Sequence, residues 1–426
     1  MEKELKELSY LSKTYTRVQT LMNRVNENSI KEAHKRQEKD KATGVDGIAK
    51  AEYGLNLDEN IKRLIERMKA GSYWAQPVRR SYIPKSDGKK RPLGIPSYED
   101  RLVQSVMAET LSGIYEERFL DCSYGYRPKR SPHDAVAAIN GIIMTKKVNC
   151  VLEADIKGFF DNVNHEWLMK FLEHDIADSK FLMYVKRFLT AGVMEAGEWQ
   201  ETEKGTPQGG QISPVLANVY LHYVLDLWVE KALKGACKGE VHYVRYADDF
   251  LMTFQYESEA EQAKEWLRER LLKFGLELSD GKTRILPFGR YKGGKDSFDL
   301  VGFTFYNTKT LAGKYRLGIK TNDKKLKAKK QEIKAWLRTK LASPLWETMT
   351  ELKAKLKGHY NYYGVNGNYQ MLLKFCWYVK YTSLRMLNRR HQKRSMKIDK
   401  FERIWRHYQE KPRLTKDIWN WKTKLA

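Results

Sequence analysis

The chain has 426 residues, of which 42% are hydrophobic and 12% aromatic, too many for a disordered chain and enough for two or three domains with a sizeable core. Lys and Arg number 78 against 53 Asp and Glu, a net charge of +25, and no apolar run reaches the roughly 18 residues needed to span a membrane. The charge is lopsided: residues 306–426 hold 31 Lys and Arg against 8 Asp and Glu, whereas the preceding 305 residues hold 47 against 45.

Residues 1 to about 70 read as polar helices, interrupted at Gly44-Val45-Asp46-Gly47. Gln76 to Pro96 reads as a hairpin, with Val78, Tyr82 and Ile83 as strand formers and Ser86-Asp87-Gly88 as the turn. Arg101 to Phe119 has the apolar spacing of a helix. Asn149 to Ile156 is a short apolar strand ending on Asp155, and a helix is expected from His165. Val241 to Phe254 reads as two β-rich arms around Ala247-Asp248-Asp249. Glu257 to Phe274 is an amphipathic helix, and Phe298 to Tyr306 one strand. The basic tail reads as helices: Lys324 to Leu341 with Leu326, Ile333, Trp336 and Leu337 on its apolar side, a second stretch, then more helix from Gln370 to the basic run Arg389–Arg394. The body–tail boundary is expected near Tyr306 to Thr321. The irregular alternation predicts an α+β body with a mainly antiparallel sheet, followed by an all-α basic region.

Four cysteines (Cys122, Cys150, Cys237 and Cys376) lie far apart without a C-x-x-C pair, so neither a disulfide framework nor a structural zinc site is expected, and the cytoplasm is the expected compartment. The start, MEKELKELSY, lacks the apolar segment of a secretory signal. A one-sided basic tail fits a polyanion, most simply nucleic acid. Gly293-Gly294-Lys295 lacks the spacing of an ATP-binding loop.

The chemistry is carried by acidic strand ends. An isolated Asp-Asp is a polar turn. Asp248-Asp249 between two apolar arms, with Asp155 at the end of another strand, instead predicts three converging carboxylates. Such a cluster repels itself unless protonated or neutralised by cations. Mg²⁺, a hard ion that takes carboxylates and substrate phosphates, fits, and two ions about 3.5–4 Å apart suit phosphoryl transfer.

Tyr246-Ala247-Asp248-Asp249 resembles the Y-x-D-D box of reverse transcriptases. SYGYRPKRSPHDAV (Ser123 to Val136), EADIKGFFDNVNHEWL (Glu153 to Leu168), GTPQGGQISPVLANVYL (Gly205 to Leu221), LSDGKTRILPFG (Leu278 to Gly289) and the Val301-Gly302-Phe303 turn resemble, in order, the motifs of group II intron-type reverse transcriptases. LKGHYNYYGVNGNY and LNRRHQKRS resemble the maturase, or thumb, region of the same family, which brings the resemblance to about residues 44–413. It implies a right-hand polymerase: an N-terminal extension and fingers, with part of the palm, over residues 1–145, a palm over 146–305, and a basic helical thumb and RNA-binding region over 306–426.

Carried over residue by residue, the resemblance makes Asp155, Asp248 and Asp249 the metal-binding catalytic carboxylates, with two Mg²⁺ and deoxynucleoside triphosphates as substrates. Lys85 and Arg91 would grip the triphosphate and Phe160 would exclude a 2′-hydroxyl, with Phe159 read as core. Gln208 would flank the incoming nucleotide and Lys282 assist pyrophosphate departure. Arg127, Lys129 and Arg130 are expected on the template backbone, and Arg389, Arg390 and Arg394 on RNA. Tyr360, Tyr362 and Tyr363 read equally as base-stacking or as packing between helices, and His165 as a helix-start residue. The expected partners are an RNA template with its cDNA or primer duplex, and a dedicated structured RNA, but no membrane. No H-N-H motif is present. Three roles stay open: an intron-encoded enzyme of splicing and mobility, a domesticated relative copying a non-coding RNA in antiphage defence, and a splicing maturase with vestigial polymerase activity.

Overall fold

A computed structural model describes residues 2–84, 90–206, 209–390 and 396–421. In chain order the strands are β1 (Val78–Pro84), β2 (Lys90–Ile95), β3 (Cys150–Asp155), β4 (Val193–Glu195), β5 (Glu198–Gln200), β6 (Val241–Tyr246), β7 (Asp249–Phe254), β8 (Arg284–Pro287), β9 (Ser297–Leu300), β10 (Phe303–Lys309) and β11 (Tyr315–Thr321). They form three sheets in the orders β2-β1-β4-β5, β6-β7-β3-β8 and β11-β10-β9. The architecture is the expected α+β body followed by helices.

The sheet β6-β7-β3-β8 is wholly antiparallel and packed on both faces. Alternation along each strand divides the side chains. Cys150, Leu152, Ala154, Phe250, Met252 and Phe254 enter the larger core, built with the N-terminal helices and helix Tyr98–Tyr115. Val151, Val244, Leu251 and Leu286 enter a second core beneath helix Pro132–Thr145 and the sheet β9–β11. A third core lies within the helices Asp323–Thr339, Leu345–Tyr363, Tyr369–Leu387 and Ile398–Tyr408.

Two expectations are corrected. The single strand over Phe298 to Tyr306 is instead β9 and β10, folded back at Val301-Gly302, where both residues have positive φ (44° and 81°) and Leu300 pairs with Phe303. That is the two-residue hairpin turn whose twist matches its strands. Residues 306–321, assigned to the helical tail, largely complete this sheet as the rest of β10 and β11; the helical region begins at Asp323. Among the described residues no helix is long and apolar enough to cross a membrane.

Helix runs from Ser213 to Ala236 and contains two π-turns, His222–Asp226 and Val229–Leu233. Asn218 and Asp226 would stand about 80° apart around an unbroken α-helix. The wider π-turn removes much of that offset, and both side chains reach Arg245 on β6. Arg245 is wholly buried; it donates to the Asp226 carboxylate through Nε (2.7 Å) and Nη2 (2.5 Å), and through Nη1 to Asn218 Oδ1 (2.9 Å) and the Ala247 carbonyl (3.0 Å). Arg245→Leu strands an interior carboxylate and should lower stability by about 3–5 kcal/mol, read from the urea midpoint. Arg245→Leu combined with Asp226→Leu should recover much of that loss; simply additive losses would show that the two do not act as a pair.

Candidate active site

Register assembles the acidic cluster. β3 and β7 are antiparallel neighbours in which Asp155 lies directly opposite Asp249, so both carboxylates leave the sheet on one face. β6 and β7 are joined by the two residues Ala247-Asp248, Tyr246 pairing with Asp249. Ala247 has φ 58°, the positive value that a tight hairpin turn needs at its first loop position. Its carbonyl is held by Arg245, and Gly125 packs so closely that a Cβ there would lie 2.3 Å from the Ala247 nitrogen. Asn218 Nδ2 donates to the Gly125 carbonyl (2.7 Å), which ties the segment around Ser123 to the same turn. Three parts of the chain thus clamp the tip that carries Asp248.

The electrostatics follow from this crowding. Asp249 keeps an exposed edge in the cleft, yet the surrounding protein displaces enough water to push its carboxyl up to about 6, with the charges of Asp248 and Asp155 adding to the effect. Burial likewise raises the Asp248 carboxyl, and Asp155 adds to it, while Arg91 and Arg245 pull it back. Lys282 Nζ donates to Asp155 Oδ2 at 2.9 Å, and this bond raises the lysine above its ordinary value. Asp155, Asp249, Lys282, Arg284, Lys324 and Lys325 line one cleft of roughly 490 Å³. The last two stand in the first turn of helix Asp323–Thr339. The oxygen donors of the three aspartates suit a hard divalent cation. Among the described residues no three His, Cys, Asp or Glu side chains are already gathered in ligand geometry.

The other expected site residues divide. Arg91, on β2, comes near enough to act on Asp248. Lys85, Gln208 and Arg394 lie outside the described residues. The loop flanking Gln208 is placed: the Thr206 nitrogen donates to the Phe160 carbonyl (2.7 Å), and Gly209, at φ 120°, approaches β2 so closely that a Cβ would meet the Gly94 carbonyl at 2.5 Å. Phe160 is largely buried edge-to-face on Phe159 and lines a second cleft, of roughly 580 Å³, with Arg80, Pro92 and Thr206. Lys129 and Arg389 are exposed. Arg130 is half-buried, with Asp121 at 2.6 Å.

One expected nucleic-acid contact is corrected to an interior cation, and another is tied to the chain's own backbone. Arg127 is buried over the Phe119 ring and bonds the Glu116 carboxylate (2.9 and 3.0 Å) and the carbonyls of Leu120 and Ser123. Arg390, half-buried just beyond helix Tyr369–Leu387, donates to the Lys340 carbonyl (2.7 Å) at the end of helix Asp323–Thr339. His165 opens its helix and bonds the Gly205 carbonyl (2.6 Å). Tyr360 is buried, and Tyr362 donates to the Val301 carbonyl (2.9 Å) while stacking on Phe303, so these rings pack.

Sequence reasoning missed Arg245, Asn218 and Asp226. The available signal was a cation in phase with Val241 and Tyr243 on the inward side of an apolar strand.

Because the folded state holds Asp249 above the usual carboxylate value of an unfolded chain, ionisation opposes folding at neutral pH. Asp249→Asn should therefore raise the thermal midpoint in metal-free buffer above about pH 6, the advantage fading as pH falls through 6 towards 4. An advantage that grows on acidification would contradict this electrostatic account.

Residues 83–305 match the family model for reverse transcriptase (RNA-dependent DNA polymerase), a family of metal-dependent polymerases. The group II intron-encoded protein LtrA of Lactococcus lactis subsp. cremoris is 31% identical over 79% of this chain and 68% of its own length. Protein YkfC of Escherichia coli K12 is 33% identical over 57% of this chain and 71% of its own. Nuclear intron maturase 2, mitochondrial, of Arabidopsis thaliana is 26% identical over 46% and 30%, respectively. The sheet with its acidic hairpin and these likenesses make the chain a member of the group II intron-type reverse transcriptases, the RNA-directed DNA polymerases of the maturase-bearing kind.

Proposed function

We propose that the chain copies a structured RNA, its natural template being a group II intron RNA, into DNA at Asp155, Asp248 and Asp249. The observation that carries this reading is the cross-strand pairing of Asp155 with Asp249 beside the clamped Asp248. Residues 1–145 act as N-terminal extension and fingers, 146–305 as palm, and 306–426 as the region that holds the RNA and its cDNA duplex, the sheet strands up to Thr321 forming its base.

In the reaction a primer 3′-hydroxyl, its proton passing to solvent, attacks the α-phosphorus of a deoxynucleoside triphosphate; one P–O bond forms, another breaks, and pyrophosphate leaves. Two Mg²⁺ held by the three aspartates would make the hydroxyl more acidic and neutralise charge on the departing pyrophosphate. The chain's own groups position and screen. Arg91, with Lys85, binds the triphosphate, Arg being suited to paired contacts with phosphate oxygens. Lys282 holds a proton at Nζ beside Asp155, where the leaving group can take it. Gln208 borders the nucleotide; its described neighbours Thr206 and Gly209 lie against Phe160 and Gly94. Phe160, which lines the cleft with Arg80 and Thr206, would exclude a 2′-hydroxyl.

Asp248→Ala combined with Asp249→Ala should abolish primer extension on an RNA template while RNA binding persists; undiminished cDNA synthesis would overturn the assignment. Phe160→Ala should raise ribonucleotide relative to deoxynucleotide incorporation by at least about tenfold, measured by single-nucleotide extension. An unchanged ratio would remove Phe160 from sugar selection.

A further inference from the structure

Helix Tyr369–Leu387 buries Leu372, Phe375, Val379 and Met386 against the other helices of the tail. Lys374, Trp377, Tyr381 and Arg385 turn outward at spacings of three, four and four, so they form one exposed ridge, which Arg389 extends. The ridge runs about 22 Å from Lys374 to Arg389 at 1.5 Å per residue. Its middle is aromatic and wet: Trp377 is 54% exposed and Tyr381 42%. Their rings lie near-parallel, centroids 5.7 Å apart with 25° between planes. Lys380 braces them, its Nζ 5.5 Å from the Trp377 centroid and 5.9 Å from that of Tyr381. Lys380 is itself ion-paired with Glu402 on helix Ile398–Tyr408, so the pair is held in place rather than free to sweep solvent.

Two adjacent stacked rings left in water, with cations on either side, distinguish this ridge from singly exposed aromatics. The cations on either side select its occupant, since they favour a polyanion over an apolar protein face. Unpaired nucleobases combine flat apolar faces with flanking phosphates, whereas a duplex hides those faces inside its stack. We infer that Trp377 and Tyr381 form a stacking platform for unpaired RNA bases, with Lys374, Arg385 and Arg389 gripping the phosphates on either side. The inference rests on the reading of the chain as an RNA-copying enzyme; it adds that the tail discriminates unpaired from paired RNA.

The test uses the full chain and fluorescence anisotropy with three probes: an unstructured 12-nucleotide RNA, the DNA of the same sequence, and a 12-base-pair RNA duplex. Trp377→Ala combined with Tyr381→Ala should weaken binding of the unstructured RNA by about 5- to 150-fold per base unstacked, leave the duplex within about twofold, and leave the salt slope unchanged. Trp377→Phe combined with Tyr381→Phe should restore most of the affinity. Lys374→Gln combined with Arg385→Gln should instead flatten the single-strand salt slope by about 1.4, the value for two lost phosphate contacts. No loss in the alanine variant, an equal loss on the duplex, or a loss confined to DNA would overturn the platform. So would a loss of self-association with RNA binding intact, which would make the ridge a protein interface. The Asp248→Ala, Asp249→Ala variant carried in parallel separates the two readings: persistent primer extension there would sink the catalytic assignment, and undiminished RNA binding by the aromatic variant would sink the platform.

Discussion

A guanidinium without access to water holds the tip of the acidic hairpin in place. Arg245 joins the helix Ser213–Ala236 to the central sheet through Asp226 and Asn218 and then spends its remaining donor on the Ala247 carbonyl. Ala247 occupies a left-handed conformation that disfavours an L-residue by roughly 1–2 kcal/mol. Such a conformation persists only where its surroundings over-determine it. Here they do: the arginine holds the carbonyl from one side and Gly125 leaves no room on the other. The ion pair is a weak source of net stability, because desolvation of both partners offsets most of their attraction. Its effect is on geometry, since neither partner can leave the other without exposing a charge to the core.

Around that fixed tip, two opposed charge distributions meet. The body is nearly balanced, but within it three carboxylates are forced together until burial and mutual repulsion raise two of them. The tail is overwhelmingly cationic, and its first helix brings Lys324 and Lys325 to the rim of the same cleft. An anionic strand entering there is drawn by the tail and repelled by the aspartates, a conflict that cations between strand and aspartates relieve. Net charge alone could not show this arrangement, because the acidic centre contributes little to a sum dominated by lysine.

Much of the fold was legible where a pattern had one interpretation. The arms of Val241 to Phe254 are rich in strand formers and turn at Ala247-Asp248; the helix Glu257–Lys273 has one apolar side. The sequence was less legible where a pattern had two. Phe298 to Tyr306 is mostly apolar with Asp299 and Thr304 interspersed, a pattern that one strand or two folded at Val301-Gly302 can both produce, although the glycine was a cue. Helix Pro132–Thr145 is apolar on nearly every side because it is largely buried in the second core, and only its Ser131–Asp134 capping box announced it. Arg127 was expected on the template backbone because charge in sequence says nothing about which backbone carbonyls lie within reach in space. For the site, the motifs named the carboxylates, whereas Arg245, Asn218 and Asp226 support them from segments that no short motif connects.

The order of the central sheet has a consequence for how the molecule comes into being. β3 sits between β7 and β8, so Asp155 meets a partner 94 residues further along the chain, and no local hairpin can bring the two together. Closing such a loop precedes any reward from the contacts it makes, which places this pairing late in folding. The hairpin carrying Asp248 and Asp249 can form early and alone; the triad cannot. The three-carboxylate centre is therefore complete only once segments 94 residues apart have docked, so it depends on the whole palm sheet and not on its hairpin alone.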